Sequence, residues 1–135
     1  MPNFDIACVE SRIQSPRDYY SKFIIGPLEK GQGTTLGNAL RRTLLSDLEG
    51  AAIVAVRIAG VSHEFSTIPG VREDVLEILL NLKEIVFRTE TKEPMVGRLS
   101  IQGPTIVTAG NFNLPSEVTV MDSNQYIATI CGNNT

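Results

Sequence analysis

Apolar positions along the chain come in short runs separated by polar or glycine-rich breaks, and each run has the length of one element. Phe4 to Glu10 and Tyr19 to Leu28 read as strands. The polar, proline-containing "SRIQSPRD" between them is turn chemistry, so the two runs predict a hairpin. Gly31 and Gly33 then break the chain before "TTLGNALRRTLL", Thr34 to Leu45, which reads as a short helix. "GAAIVAVRIAG", Gly50 to Gly60, is a β-branched run bounded by glycines and predicts a buried strand. Pro69 and Gly70 precede "VREDVLEILLNLKEIVF", the strongest helical pattern, with Val71, Val75, Ile78, Leu79 and Leu82 at helical spacing. Glu73 and Asp74 fall in its first turn, where carboxylates complement the helix dipole. After Thr89 the texture changes: "RLSIQG", "TIVTAG", "EVTVMD" and "QYIATIC" read as short strands punctuated by turn residues. The class is α+β, with no internal repeat and no low-complexity tract. The final "CGNNT" follows a strand with no closing helix, which reads as a fragment or as a chain completed by a partner.

The first helix carries more apolar residues than one face holds. At ~100° per residue, Leu36, Ala39, Leu40, Thr43, Leu44 and Asp47 gather on one side, with Gly37 and Leu48 at its margin. That side is expected to pack on the chain's own sheet or on another helix. Asn38, Arg42 and Leu45 fall together on the far side at i, i+4 and i+7. A guanidinium fork beside a large aliphatic group resembles an interface anchor. A surface arginine beside one exposed leucine is equally ordinary. On the residues alone the two readings stand level.

Composition narrows the class. The 135 residues are 42% hydrophobic and 20% charged, which suits one compact domain or two small lobes. A net charge of -3 supplies no whole-chain basic field for nucleic acid. No apolar run approaches the ~20 residues of a membrane span, and "MPNFDIACVES" lacks the layout of a secretory signal. Cys8 and Cys131 are too few and too far apart for a zinc site, and they fit a reduced compartment such as cytosol or stroma.

Candidate chemistry is thin. "GPLEKGQG" has the Gly26 to Gly31 separation of a phosphate loop, but Gln32 and Gly33 stand where lysine and Ser/Thr belong. "GQGTTLG" fails as a dinucleotide fingerprint because Gly33 to Gly37 is one residue too long. Strand-end and helix-entry glycines account better for both. His63, the only histidine, lies in "GVSHEFSTIPG"; a triad or metal site would need oriented partners, and a structural or interface histidine fits better. Glu73, Asp74 and Glu77 read as a solvated helix start balanced by Arg72.

"TLGNALRR", "HEFST" and "GVREDVLEILLNLK" together closely resemble the amino-terminal domain of the bacterial-type RNA polymerase alpha subunit. "CVESR" and "KGQGTT" look more like its photosynthetic-bacterial or plastid versions. The resemblance covers essentially the whole chain and roughly the first half of the family's subunit. It implies a two-lobed fold, with residues 1–49 starting a dimerisation lobe and residues 50–135 forming part of an inserted second lobe. It also implies a non-catalytic assembly subunit: a second alpha copy pairs through the Leu36, Leu40 and Leu44 stripe, and the beta and beta-prime subunits assemble on the dimer. By the same resemblance, Asn38, Arg42 and Leu45 dock the beta subunit, with His63, Glu64, Phe65, Ser66 and Thr67 in the same contact region. Lys83 matches a position that engages beta-prime. The family's closing dimerisation helix, linker and DNA-contacting carboxy-terminal domain lie beyond the resemblance, so no direct DNA contact is expected here. The catalytic metal belongs to another subunit, so no catalytic residue, metal, cofactor or membrane partner is expected. Bacterial cytoplasm or plastid stroma is the implied location. The rivals are a small nucleotide- or phosphate-ligand enzyme using the Gly26 to Gly37 loop, and a free-standing homodimeric interaction module.

Overall fold

A computed structural model describes residues 4–133, which divide into two compact units with the boundary between Gly50 and Ala51. In the first unit, β1 (Asp5–Ser15) and β2 (Asp18–Gly26) form an antiparallel hairpin, followed by α1 (Gln32–Arg42) and a π-helical turn, Thr43–Asp47. The hairpin is longer than its apolar pattern predicts. "SRIQSPRD" is mostly strand, and only Pro16 and Arg17 turn the chain. Cross-strand pairs explain the extension. Ser11 and Ser21 hydroxyls lie 3.3 Å apart, and the Arg12 guanidinium sits 4.6 Å from the Tyr20 ring centre, so polar residues also pair well across the strands.

One hairpin face is mostly apolar: Ile6, Cys8 and Ile13 stand opposite Ile25, Phe23 and Tyr19, with the Ser11–Ser21 pair between them. A bulge at Val9 preserves this face by taking up one residue of register. The face is bare, with Phe23 58% exposed. α1 corrects a second expectation. No residue of the helix is buried, so its leucine stripe does not pack on the chain's own sheet: Leu36 is half-buried, and Leu40 and Leu44 are exposed.

The second unit holds the core. α2 (Val75–Lys83) is followed by β3 (Phe87–Thr89), β4 (Thr105–Thr108), a 3₁₀ turn at Ala109–Asn111, β5 (Val118–Val120) and β6 (Tyr126–Ile130). β3 pairs with β5 and β4 with β6, both antiparallel. Residues 70–72 line the other edge of β6: the Arg72 N–H donates to the Thr129 carbonyl, the Cys131 N–H to the Gly70 carbonyl, and Val71 bridges Ile130. β6 is therefore the central strand. Ile78, Leu82 and Ile85 from α2 and its exit share one core with Val107, Ala109, Ile127, Ala128 and Ile130.

Five sequence expectations are corrected here. Val71 precedes α2 as an extended residue, and Leu79 is only half-buried, so Val75, Ile78 and Leu82 form the buried stripe. Phe87 leaves the helix pattern for β3, while among the described residues "RLSIQG" pairs only through Arg98 and Asn113. "GAAIVAVRIAG" is neither a regular strand nor buried: Val54 is 94% exposed, and only Ile53 and Ile58 among its branched residues are partly covered. Among the described residues no strand pairs with it, and β propensity without a ladder partner does not make a strand.

Gly103 marks the tightest approach in this unit. A Cβ there would overlap Ile130 Cγ2 and lie 2.8 Å from Ile130 Cβ and 3.0 Å from the Gly132 carbonyl oxygen. Gly103→Ala is expected to cost about 1–3 kcal/mol as overpacking, read as a lowered melting temperature. An unchanged melt would show that the chain around Ile130 yields freely.

Candidate functional site

The first candidate surface lies on α1. Gly31, at φ 88°, adopts the left-handed conformation that favours glycine and opens the helix. Asn38 and Arg42 are one turn apart and exposed, and among the described residues the Arg42 side chain has no carboxylate partner. Arg41 and Arg42 also occupy the last turn, where positive charge complements the helix dipole. The helix then widens. The Ser46 hydroxyl donates to the Arg42 carbonyl at 2.7 Å, and the Leu48 N–H reaches back to the Thr43 carbonyl at 3.2 Å. A serine that bonds back to this carbonyl competes with the α-helical N–H. Leu45 lies within this wider turn, so the regular wheel through Asn38 and Arg42 does not carry through to it. All three residues are exposed.

The second surface belongs to the other unit. His63 to Ser66 form a tight turn beside the start of α2: the Val75 N–H donates to the Ser66 carbonyl at 3.0 Å, and Thr67 bridges Asp74. His63, Glu64, Phe65 and Thr67 are exposed, and Ser66 is half-buried. α2 begins cleanly because the Asp74 Oδ1 accepts the Glu77 N–H at 2.8 Å. Lys83 closes the same helix, exposed in its last turn. Nine residues of helix put the turn and Lys83 about 13 Å apart along the axis.

Glu73 was expected in water and is instead buried, 8% exposed. It lies in a bend ahead of the Asp74 cap, outside the helix, and its side chain meets β6. The Tyr126 hydroxyl donates to one carboxylate oxygen, and the Thr129 N–H donates to the other at 2.8 Å. Tyr126 and Thr129 hydroxyls also meet. Desolvation pushes the Glu73 pKa up, but the hydrogen bonds from Tyr126, Thr129 and its own backbone, with the Arg72 charge, leave it below its ordinary value. Burial and the bond to Glu73 raise the Tyr126 pKa. A second link missed in the sequence is Asn81, whose amide donates to the Ile127 carbonyl at 2.8 Å. Neither has a periodic signature, because each depends on the position of β6.

The glycine-rich stretch does not form a phosphate cradle. Gly33 and Gly37 lie inside α1, and residues 27–33 are exposed throughout. Among the described residues no group of three or more His, Cys, Asp or Glu is placed to hold a metal ion. No described helix is long and apolar enough to cross a membrane.

Residues 56–135 match the family described as the RNA polymerase Rpb3/RpoA insert domain. The chain belongs to that family. The matched span contains the His63 turn, the Glu73 network, α2 and the whole core cluster. Relatives extend the likeness to α1. The chain is 74% identical over 134 residues to the DNA-directed RNA polymerase subunit alpha of Rhodomonas salina, 99% of this chain and 43% of that protein. It is 67% identical over 135 residues to that of Guillardia theta, 100% of this chain and 42% of that protein. A Nostoc sp. alpha subunit is 61% identical over 130 residues, covering 96% and 41%. The chain thus spans less than half the length of these relatives. Both the insert-domain match and the mixed helix-and-strand architecture agree with the α+β reading of the motifs.

Proposed function

We propose that the chain is a non-catalytic assembly segment of DNA-directed RNA polymerase. One observation carries this reading: among residues 4–50 none is buried, although the hairpin and α1 present large apolar side chains. Apolar surface of that extent marks an interaction surface. Relatives named as DNA-directed RNA polymerase subunit alpha support a place in that complex. In this reading the unit of residues 1–49 dimerises with a second alpha copy through Leu36, Leu40 and Leu44. Asn38, Arg42 and Leu45, together with His63 to Thr67, dock the beta subunit, while Lys83 meets beta-prime. The separation of the His63 turn and Lys83 along α2 suits two different partner surfaces. Nucleotidyl transfer and its metal belong to the partners, and this segment touches no DNA. The setting is a bacterial cytoplasm or plastid stroma. Nothing in the geometry favours the enzyme alternative built on the Gly26 to Gly37 loop.

Arg42→Ala tests the docking role. Truncating an interface arginine that acts as a hot spot costs about 2 kcal/mol or more, roughly a thirtyfold loss of affinity for immobilised beta subunit. Alanine has higher helix propensity than arginine, so circular dichroism should not show lost helix. Unchanged affinity with an unchanged spectrum would remove Arg42 from the interface.

A further inference from the structure

The turn at His63 is closed twice. The Ser66 N–H donates to the His63 carbonyl at 3.2 Å, and the Phe65 N–H donates to the His63 Nδ1, also at 3.2 Å. The Ser66 hydroxyl lies 3.3 Å from the same nitrogen. A ring nitrogen that accepts a backbone N–H carries no proton, so the imidazole proton resides on Nε2. The arrangement copies an Asx turn, in which an Asn or Asp oxygen takes the N–H two residues on.

Its effect falls on Phe65. The ring is 73% exposed, with only a loose contact to the imidazole at 6.5 Å between centres. Yet its backbone is not free. The Val61 N–H donates to the Ile58 carbonyl before the turn, and Ser66 and Thr67 are tied to Val75 and Asp74 after it. A large aromatic ring on a braced backbone gives up little conformational freedom on binding, which is the profile of an interface anchor. Phenylalanine has no polar atom to satisfy, so its receptor is an apolar pocket. The exposed Glu64 beside it, and the acidic net charge of -3, oppose a phosphate backbone and favour a pocket rimmed by lysine or arginine.

We propose that Phe65 is the apolar anchor of the second unit, entering a phenyl-sized pocket on a partner protein, and that His63 is the positioning residue that displays it through Nδ1. The partner's identity, the beta subunit, rests on the function proposed above.

The test compares binding of the purified chain and four variants to beta subunit. Phe65→Ala should lose at least about tenfold in affinity, the usual mark of an anchor. His63→Ala and His63→Gln should lose about three- to tenfold, the worth of one hydrogen bond. His63→Asn puts an amide oxygen near the position of Nδ1 and should restore affinity to within about twofold. Both side chains, His63 and Phe65, are exposed, so the melting temperatures of all four variants should stay close to that of the parent. If the parent chain binds and Arg42→Ala weakens it while Phe65→Ala does not, the anchor is overturned and the assembly reading stands. A parent chain that fails to bind overturns both. His63→Asn as weak as His63→Ala, or nitrogen NMR of the free chain showing the proton on Nδ1, overturns the positioning role.

Discussion

Ile127→Ala is expected to destabilise the second unit by about 2–5 kcal/mol, enough to unfold a marginal domain outright. Ile127 is 2% exposed and lies on the central strand, in one cluster with Ile78 and Leu82 of α2 and with Val107 of β4. Removing its branched side chain leaves a cavity that neighbours on three elements must collapse to fill, and a strand paired on both edges cannot shift far to help. The Asn81 bond to the Ile127 carbonyl involves only backbone on the β6 side, so the substitution leaves it intact and reports packing. Denaturant unfolding followed by far-ultraviolet circular dichroism measures the loss. A midpoint equal to that of the parent would mean that Ile127 is not in the core. Leu79→Ala should cost less than the same change at Leu82, since Leu79 is half-buried.

Glu73→Gln is expected to cost about 1–3 kcal/mol at neutral pH and to change how stability responds to acid. The carboxylate accepts from the Tyr126 hydroxyl and the Thr129 N–H on separate oxygens. An amide offers one acceptor. With its oxygen on the Thr129 N–H, its NH2 faces the Tyr126 hydroxyl, which must then accept and turn its own proton toward Thr129, so the charge-assisted bonds are lost. Because the folded carboxyl has a lowered pKa, it binds its proton less readily than in the unfolded chain. Its stabilisation is therefore complete above the unfolded value of about 4.3 and disappears as pH falls through the folded value. Parent stability should drop across that acid window, and the difference between parent and Glu73→Gln should shrink there. A difference that stays constant from neutral pH to acid would show that the charge of Glu73 is not what ties α2's entrance to β6.

The elements that could be read from the residues are those whose signal is local. α2 was legible from its apolar stripe and the acidic residues at its head, although Asp74, read as part of the first turn, is the cap that precedes Val75. β4 and β6 follow from short apolar runs with turn residues beside them. The hairpin was legible as a pair but not in its length, because Arg12 with Tyr20 and Ser11 with Ser21 gain their pairing value only across the strands. The docking candidates were legible mainly through motifs. Spacing alone placed Arg42 and Leu45 together on a regular wheel, whereas the π-helical turn at Thr43–Asp47 depends on bonds such as that from the Ser46 hydroxyl to the Arg42 carbonyl, which spacing does not reveal.

Helix, strand and turn types, the α+β class and family membership can thus be derived from the order of residues, because propensity, capping and motif spacing act over a few positions. Coverage cannot. The α1 leucines and the Gly50 to Gly60 run have the composition of buried elements, yet the fold leaves the first exposed and the second without a strand partner. Glu73, by contrast, looks like a solvated charge and is buried against β6, more than fifty positions away. Burial and pairing depend on which distant segment arrives at a surface, and that is a property of the folded chain rather than of any stretch within it.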